Sequence, residues 1–108
     1  MISDDDVEKA LDWLRDQAKA IGAAKEASYR ADKMLSHHKA MAMKLSGESG
    51  VTAQEREAYS SEQYVMAIER AAVAAGEYET MKALREAAAM KIDAWRTMSS
   101  NYRSMKIG

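Results

Sequence analysis

Ser46-Gly47-Glu48-Ser49-Gly50 is the stretch whose reading decides the fold. Two glycines and two serines within five residues form a loop, because these types favour turns over helix. On either side the chain is patterned for helix. Gly22 and Gly76 each stand 27 positions from Ser49 (49 − 22 and 76 − 49). A chain folding back at Ser49 as two antiparallel helices sets Gly22 opposite Gly76. Alanines flank both, Ala23, Ala24 and Ala27 on one arm and Ala71, Ala72, Ala74 and Ala75 on the other. Small residues on facing arms predict a close helix approach at Gly22 and Gly76.

Outward from the loop, the first arm opens at Ser3. Ser3-x-x-Asp6 is a capping-box variant, and Asp4, Asp5 and Asp6 fill a first turn where the helix dipole favours negative charge. A stripe follows at spacings of three and four: Val7, Leu11, Leu14, Ala18, Ile21, Ala24, Ser28, Ala31, Leu35, His38, Ala42, Leu45. The second arm opens at Thr52, and Thr52-x-x-Glu55 reads as its capping box. Its stripe runs Ala58, Ser61, Val65, Ile68, Ala72, Ala75, Tyr78, Met81, Leu84, Ala88, Ile92, Trp95, Met98, Tyr102.

These patterns predict an all-α chain forming a single helical-hairpin domain over 1–108. A helix covers about 4–45, a loop 46–51 and a second helix about 53–99, followed by a frayed tail. Breaks at Gly22 and Gly76 would instead give a compact four-helix bundle. A mid-helix glycine costs only about 1 kcal/mol relative to alanine, so the continuous hairpin is favoured. The chain contains no proline, the strongest helix breaker.

Charge supports the fold-back. Residues 1–16 hold six acids and two bases, a net of −4; residues 82–108 hold six bases and two acids, a net of +4. An antiparallel hairpin sets these ends side by side, pairs Leu14 with Leu84 and brings Val7 near Ile92. Trp13, Met34, Met41, Tyr59, Tyr64 and Met90 lie outside a single stripe. Burying them predicts self-association into a four-helix dimer or higher homo-oligomer, coiled-coil in character.

Composition narrows the chemistry. Without cysteine there is neither a disulfide framework nor a zinc–thiolate site. A net charge of −1 argues against a general polyanion binder. No apolar run approaches the roughly 20 residues that span a bilayer, and the acidic start Met1–Asp6 is unlike a secretory signal. The expected compartment is the cytoplasm. His37-His38 is the only histidine cluster, and adjacent helical residues point about 100° apart with no hard ligand four away, so no metal is expected. With no recognisable catalytic motif or cofactor-binding pattern, the chain reads as non-enzymatic. The methionines serve as core filler or as an adaptable binding surface.

The C-terminal segment carries the candidate contacts. Arg96, Arg103 and Lys106 suit phosphates or acidic partners, and Trp95 and Tyr102 lie seven apart on one face, where either ring could stack on a base. The competing reading packs both rings on the first arm near Val7 and pairs the bases with Asp4, Asp5 and Asp6.

The run Ile92-Asp93-Ala94-Trp95-Arg96-Thr97-Met98-Ser99-Ser100-Asn101-Tyr102-Arg103 resembles the ending of small helical proteins encoded by tailed phages and prophages. Glu55 to Tyr64 resembles their second-helix opening, and Ala10-Leu11-Asp12-Trp13-Leu14 their first helix. The resemblance implies an early-region accessory in viral DNA replication or recombination, acting on a protein partner in the host cytoplasm. Two other roles stay open: a direct single-stranded DNA-binding accessory, and an inhibitor that occludes the surface of a host defence protein.

Overall fold

The computed structural model describes residues 2–107, with the side chains of 106 and 107 outside the description. Every secondary-structure element among the described residues is a helix: α1 Asp4–Lys33, α2 Leu35–Leu45, α3 Val51–Ser60 and α4 Glu62–Ile107. Both glycine-containing segments stay helical, since α1 runs through Gly22 and α4 through Gly76. The interruptions fall elsewhere. Met34 separates α1 from α2 with φ −78° and ψ −9°, yet its N–H reaches the Arg30 carbonyl at 2.9 Å, and His38 N–H reaches the Met34 carbonyl at 3.0 Å. The backbone ladder thus passes through this point.

Ser61 makes the sharper break, with extended backbone at φ −70° and ψ 145°. Its hydroxyl donates to the Ala58 carbonyl at 2.7 Å and accepts the Tyr64 N–H at 3.2 Å. The Ser60 hydroxyl lies against the Arg56 and Glu57 carbonyls. Two serine side chains therefore satisfy groups at one helix end and the next helix start, the role for which serine competes with regular helix.

Ser3 caps α1 as its sequence predicts: its N–H donates to Asp6 Oδ2 at 3.0 Å, and Asp6 N–H donates to Ser3 Oγ at 3.1 Å. The expected capping box at Thr52 and Glu55 does not form. The helix starts earlier, at Val51, with Gly50 in the capping position and no side-chain cap. Gln54 N–H instead reaches the Gly50 carbonyl, and Gln54 Nε2 the Glu48 carbonyl, each at 2.9 Å. Gly47, at φ 77°, follows the end of α2, where a left-handed residue is needed to leave the helix. The expected frayed tail is also corrected, because α4 continues past residue 99 to Ile107.

The chain divides into two compact units. The first joins Met1–Gly22 to Thr80–Gly108; the second is Ala23–Glu79. In the first, Val7, Ala10 and Ile21 are buried, and Ile92 and Trp95 of α4 are half-buried. The two segments run antiparallel. Asp4 meets Trp95, and further along Lys91 lies close enough to act on Asp6. Asp4 with Trp95 and the expected Val7 with Ile92 share one register, since both pairs sum to 99 (4 + 95 and 7 + 92).

In the second unit α2 packs on α3. Lys39 Nζ donates to the Tyr59 hydroxyl at 2.8 Å and lies 3.9 Å from Glu55. Tyr59 and Tyr64 meet edge to face at 5.7 Å across the Ser61 break. Beyond the break the register differs from the one centred on Ser49. Ser28 and Asp32 line one groove with Ala71 and Ala75, and His38 lines another with Ala67. Ser49-centred pairing would have set Ser28 opposite Arg70 (28 + 70 = 98).

The inward stripe turns accordingly. Tyr64, Ala67, Ala71, Ala74 and Tyr78 are buried or half-buried, whereas the expected Val65, Ile68, Ala72 and Ala75 are exposed. From Tyr64 to Ala74 the inward positions lie one residue before the expected ones, and the two sets meet again at Tyr78. On the first arm the expected stripe holds, except that Leu11, Ala18 and Leu45 are exposed while Ala10 and Gln17 turn inward.

The predicted close approach at Gly22 and Gly76 is not present. Both are exposed, and a Cβ built on either meets no heavy atom within 4 Å outside its own helix. Gly22 belongs to the first unit and Gly76 to the second.

Candidate functional site

The best-formed concavity of the first unit is an open groove of about 720 Å³ where the start of α1 lies beside the end of α4. Ile2, Ser3 and Asp4 form one wall. Trp95, Arg96, Met98, Ser99, Tyr102 and Arg103 form the other. Four of the five contact residues expected from sequence are thus brought together: Trp95, Arg96, Tyr102 and Arg103. The fifth, Lys106, lies outside the described side chains.

The α4 wall follows from helical geometry. Positions 95, 98, 99 and 102 recur at three and four, and 96 and 103 lie two turns apart, so all reach one side of the helix. The α1 wall depends on the Ser3 cap, which fixes the chain just before Asp4. Ser3 N–H, and then its hydroxyl, hold the Asp6 carboxylate below its usual pKa, with small added pulls from Lys91 and Lys9.

Trp95 Nε1 donates to Asp4 Oδ1 at 2.7 Å, and the ring is half-buried. This agrees with the expectation that Trp95 packs on the first arm. Tyr102 does not share that fate and stays 63% exposed. The anticipated pairing of α4 bases with Asp4, Asp5 and Asp6 is not what the acids do. Asp5 pairs with Lys9 at 3.2 Å, Asp6 closes the cap, and Asp4 takes the indole N–H. Asp12 and Asp16 both go to Arg15.

Arg96 and Arg103 of α4 are consequently left outward. Arg96 sits 3.7 Å from Asp93 with its side chain 71% exposed. Arg103 is exposed and makes no hydrogen bond or ion pair among the described residues. The groove therefore combines half-buried Ile2, Trp95 and Met98 with two accessible guanidinium groups, while its own carboxylate is already bonded.

Ile2 and Met98 were absent from the sequence-derived contact set. Carrying the Val7–Ile92 register outward would have found them, since it places the residues just before Asp4 alongside those just after Trp95.

A smaller groove of about 500 Å³ lies in the second unit, lined among others by Arg30, Met34, His38 and Arg70. His38 is half-buried, as expected, and His37 exposed; the buried Nδ1 of His38 has no hydrogen-bond partner. Arg30 is already bound to Glu26 at 2.7 Å. No group of three or more His, Cys, Asp or Glu positioned to hold a metal occurs among the described residues. No helix there is long and apolar enough to cross a membrane. Compared with protein-family models, with curated proteins and with solved structures, this all-helical chain matches none of them.

Proposed function

We propose that this chain is a non-enzymatic, self-associating helical interaction protein of phage or prophage type. It would serve in the host cytoplasm as an accessory to viral DNA replication or recombination. One observation carries the binding role: the groove beside Asp4 gathers Trp95, Arg96, Tyr102 and Arg103, with the Asp4 carboxylate turned to the Trp95 N–H rather than to either arginine. A site with apolar floor and uncommitted positive charge is suited to docking. The viral setting rests on the sequence resemblance of residues 92–103 alone.

Self-association is supported by how little each unit buries. Among the described residues the buried hydrophobic ones are Val7, Ala10 and Ile21 in the first unit and Ala42, Ala58 and Ala67 in the second, and no large side chain there is fully buried. Val65, Met66, Ile68 and Val73 are all more than 40% exposed on the second unit. Apolar surface of this kind is the usual mark of an association face. A two-helix hairpin pairing into a four-helix assembly would cover it.

The direct test is copurification from infected cells. Wild-type protein should retain a discrete viral or host replication protein, and Arg96→Ala/Arg103→Ala should lose it while keeping its helical circular dichroism. Equal retention by both would remove the groove from the reading.

A second reading, direct binding of single-stranded DNA, is favoured by the exposure of Tyr102 beside Arg103. Retention on an oligonucleotide column that falls with salt, with a log–log slope of about −0.7 per phosphate contact, would support it. A host-defence target would show as a nuclease or sensor in the same copurification.

A further inference from the structure

Resting on the docking role proposed for the groove, we infer that its occupant is an acidic amphipathic helix of a partner protein, lying along the end of α4. The floor comes from Ile2, Trp95 and Met98, all half-buried and therefore offering part of their apolar surface. A ligand that covers them must itself be apolar on that side. The positive charge comes from Arg96, exposed although 3.7 Å from Asp93, and from Arg103, which has no ion pair among the described residues. A ligand that satisfies them must be anionic on its flank.

Spacing selects the helix. Arg96 and Arg103 are seven residues apart, which on α4 is a rise of about 10.5 Å with almost no rotation. A second helix repeats carboxylates at that same rise when it places Glu or Asp seven residues apart, with its apolar row between them. Both charges and the floor are then met by one regular element, in the manner of helix-in-groove recognition.

Single-stranded DNA fits less well. Stacking needs open ring faces, and Trp95 is half-buried with its N–H fixed to Asp4, which leaves Tyr102 as the exposed ring.

The test uses the full chain and two labelled synthetic helices of about 18 residues, roughly 27 Å long. One carries leucine on one face with glutamates seven apart; the other replaces the glutamates by lysines. Fluorescence anisotropy should show saturable binding of the glutamate peptide and not of the lysine peptide. Arg103→Glu should weaken the glutamate peptide roughly tenfold or more, since a charge-assisted hydrogen bond is lost and a repulsion gained. Arg96→Glu/Arg103→Glu should go further and acquire affinity for the lysine peptide, a gain that a misfolded variant could not show.

Failure of the glutamate peptide to bind, while an oligo-dT of about 20 nucleotides binds in an Arg103-dependent way, overturns the helix and leaves the groove as a DNA site. Failure of both ligands to depend on Arg103 overturns the groove itself.

Discussion

At the residue scale, the same amino acid reads differently once its neighbours are known. Gly22 drew attention as a contact point, but the space around it is open. What remains is its entropic cost within a helix. Gly22→Ala should therefore stabilise the protein by about 1 kcal/mol, measured as a higher midpoint in thermal denaturation. A lower midpoint would reveal a neighbour at this position. Trp95 illustrates the opposite case. Its N–H joins two segments 91 positions apart in sequence. Trp95→Phe keeps a ring in the site and deletes that bond. It should cost about 1 kcal/mol in urea unfolding, and Asp4→Asn should cost less, because the amide oxygen still accepts.

At the element scale, two serines determine where helices begin. Ser61 is the clearest. Replacing it with alanine removes the acceptor of the Tyr64 N–H and should destabilise by about 1 kcal/mol. The loss of helical ellipticity should appear at lower temperature, and a fused α3–α4 helix with raised stability would contradict the capping role. Ser3 adds a pH dependence. Its N–H and hydroxyl favour ionised Asp6, so the folded-state pKa lies below the unfolded one. The resulting stabilisation is fully present above the unfolded value of about 3.9 and fades as pH falls through the lower folded value. Ser3→Ala keeps the N–H and removes the hydroxyl, so it should lessen without abolishing the slope of that part of the acid-denaturation curve and leave the neutral-to-basic limb unchanged in shape.

At the scale of the whole molecule, two units each hold a small core built largely from alanine and short aliphatics. Small buried area must offset the full chain-ordering entropy, which makes a lone chain marginal. Sedimentation equilibrium at micromolar concentration is expected to give at least twice the 12.0 kDa chain mass. Placing Glu at Val65 and Ile68, both exposed, should shift that equilibrium toward monomer without unfolding the second unit. If the parent sediments at 12.0 kDa, the exposed apolar row is not an association face.

The helical class, the Ser3 cap, the loop at 46–50 and continuity through both glycines were legible in the sequence. Each depends on interactions within a few residues, where propensity and capping chemistry act alone. The stripe from Val7 to Ala42 was legible for the same reason, since one uninterrupted helical period links its members. So was the grouping of Trp95, Arg96, Tyr102 and Arg103, which lie within two turns of one helix. What tertiary structure decided was phase and partnership. Between Tyr64 and Ala74 the inward face lies one residue before the expected stripe, and a pattern of alanines, valines and isoleucines gives no sign of which side faces inward. Asp4 could have met a base or the indole N–H; the position of the first helix against the last selected the indole. Local bonds are fixed by neighbours in the chain, whereas the choice among several acceptable faces and acceptors is made only when two helices dock, because each helix alone satisfies its backbone equally well in every rotation.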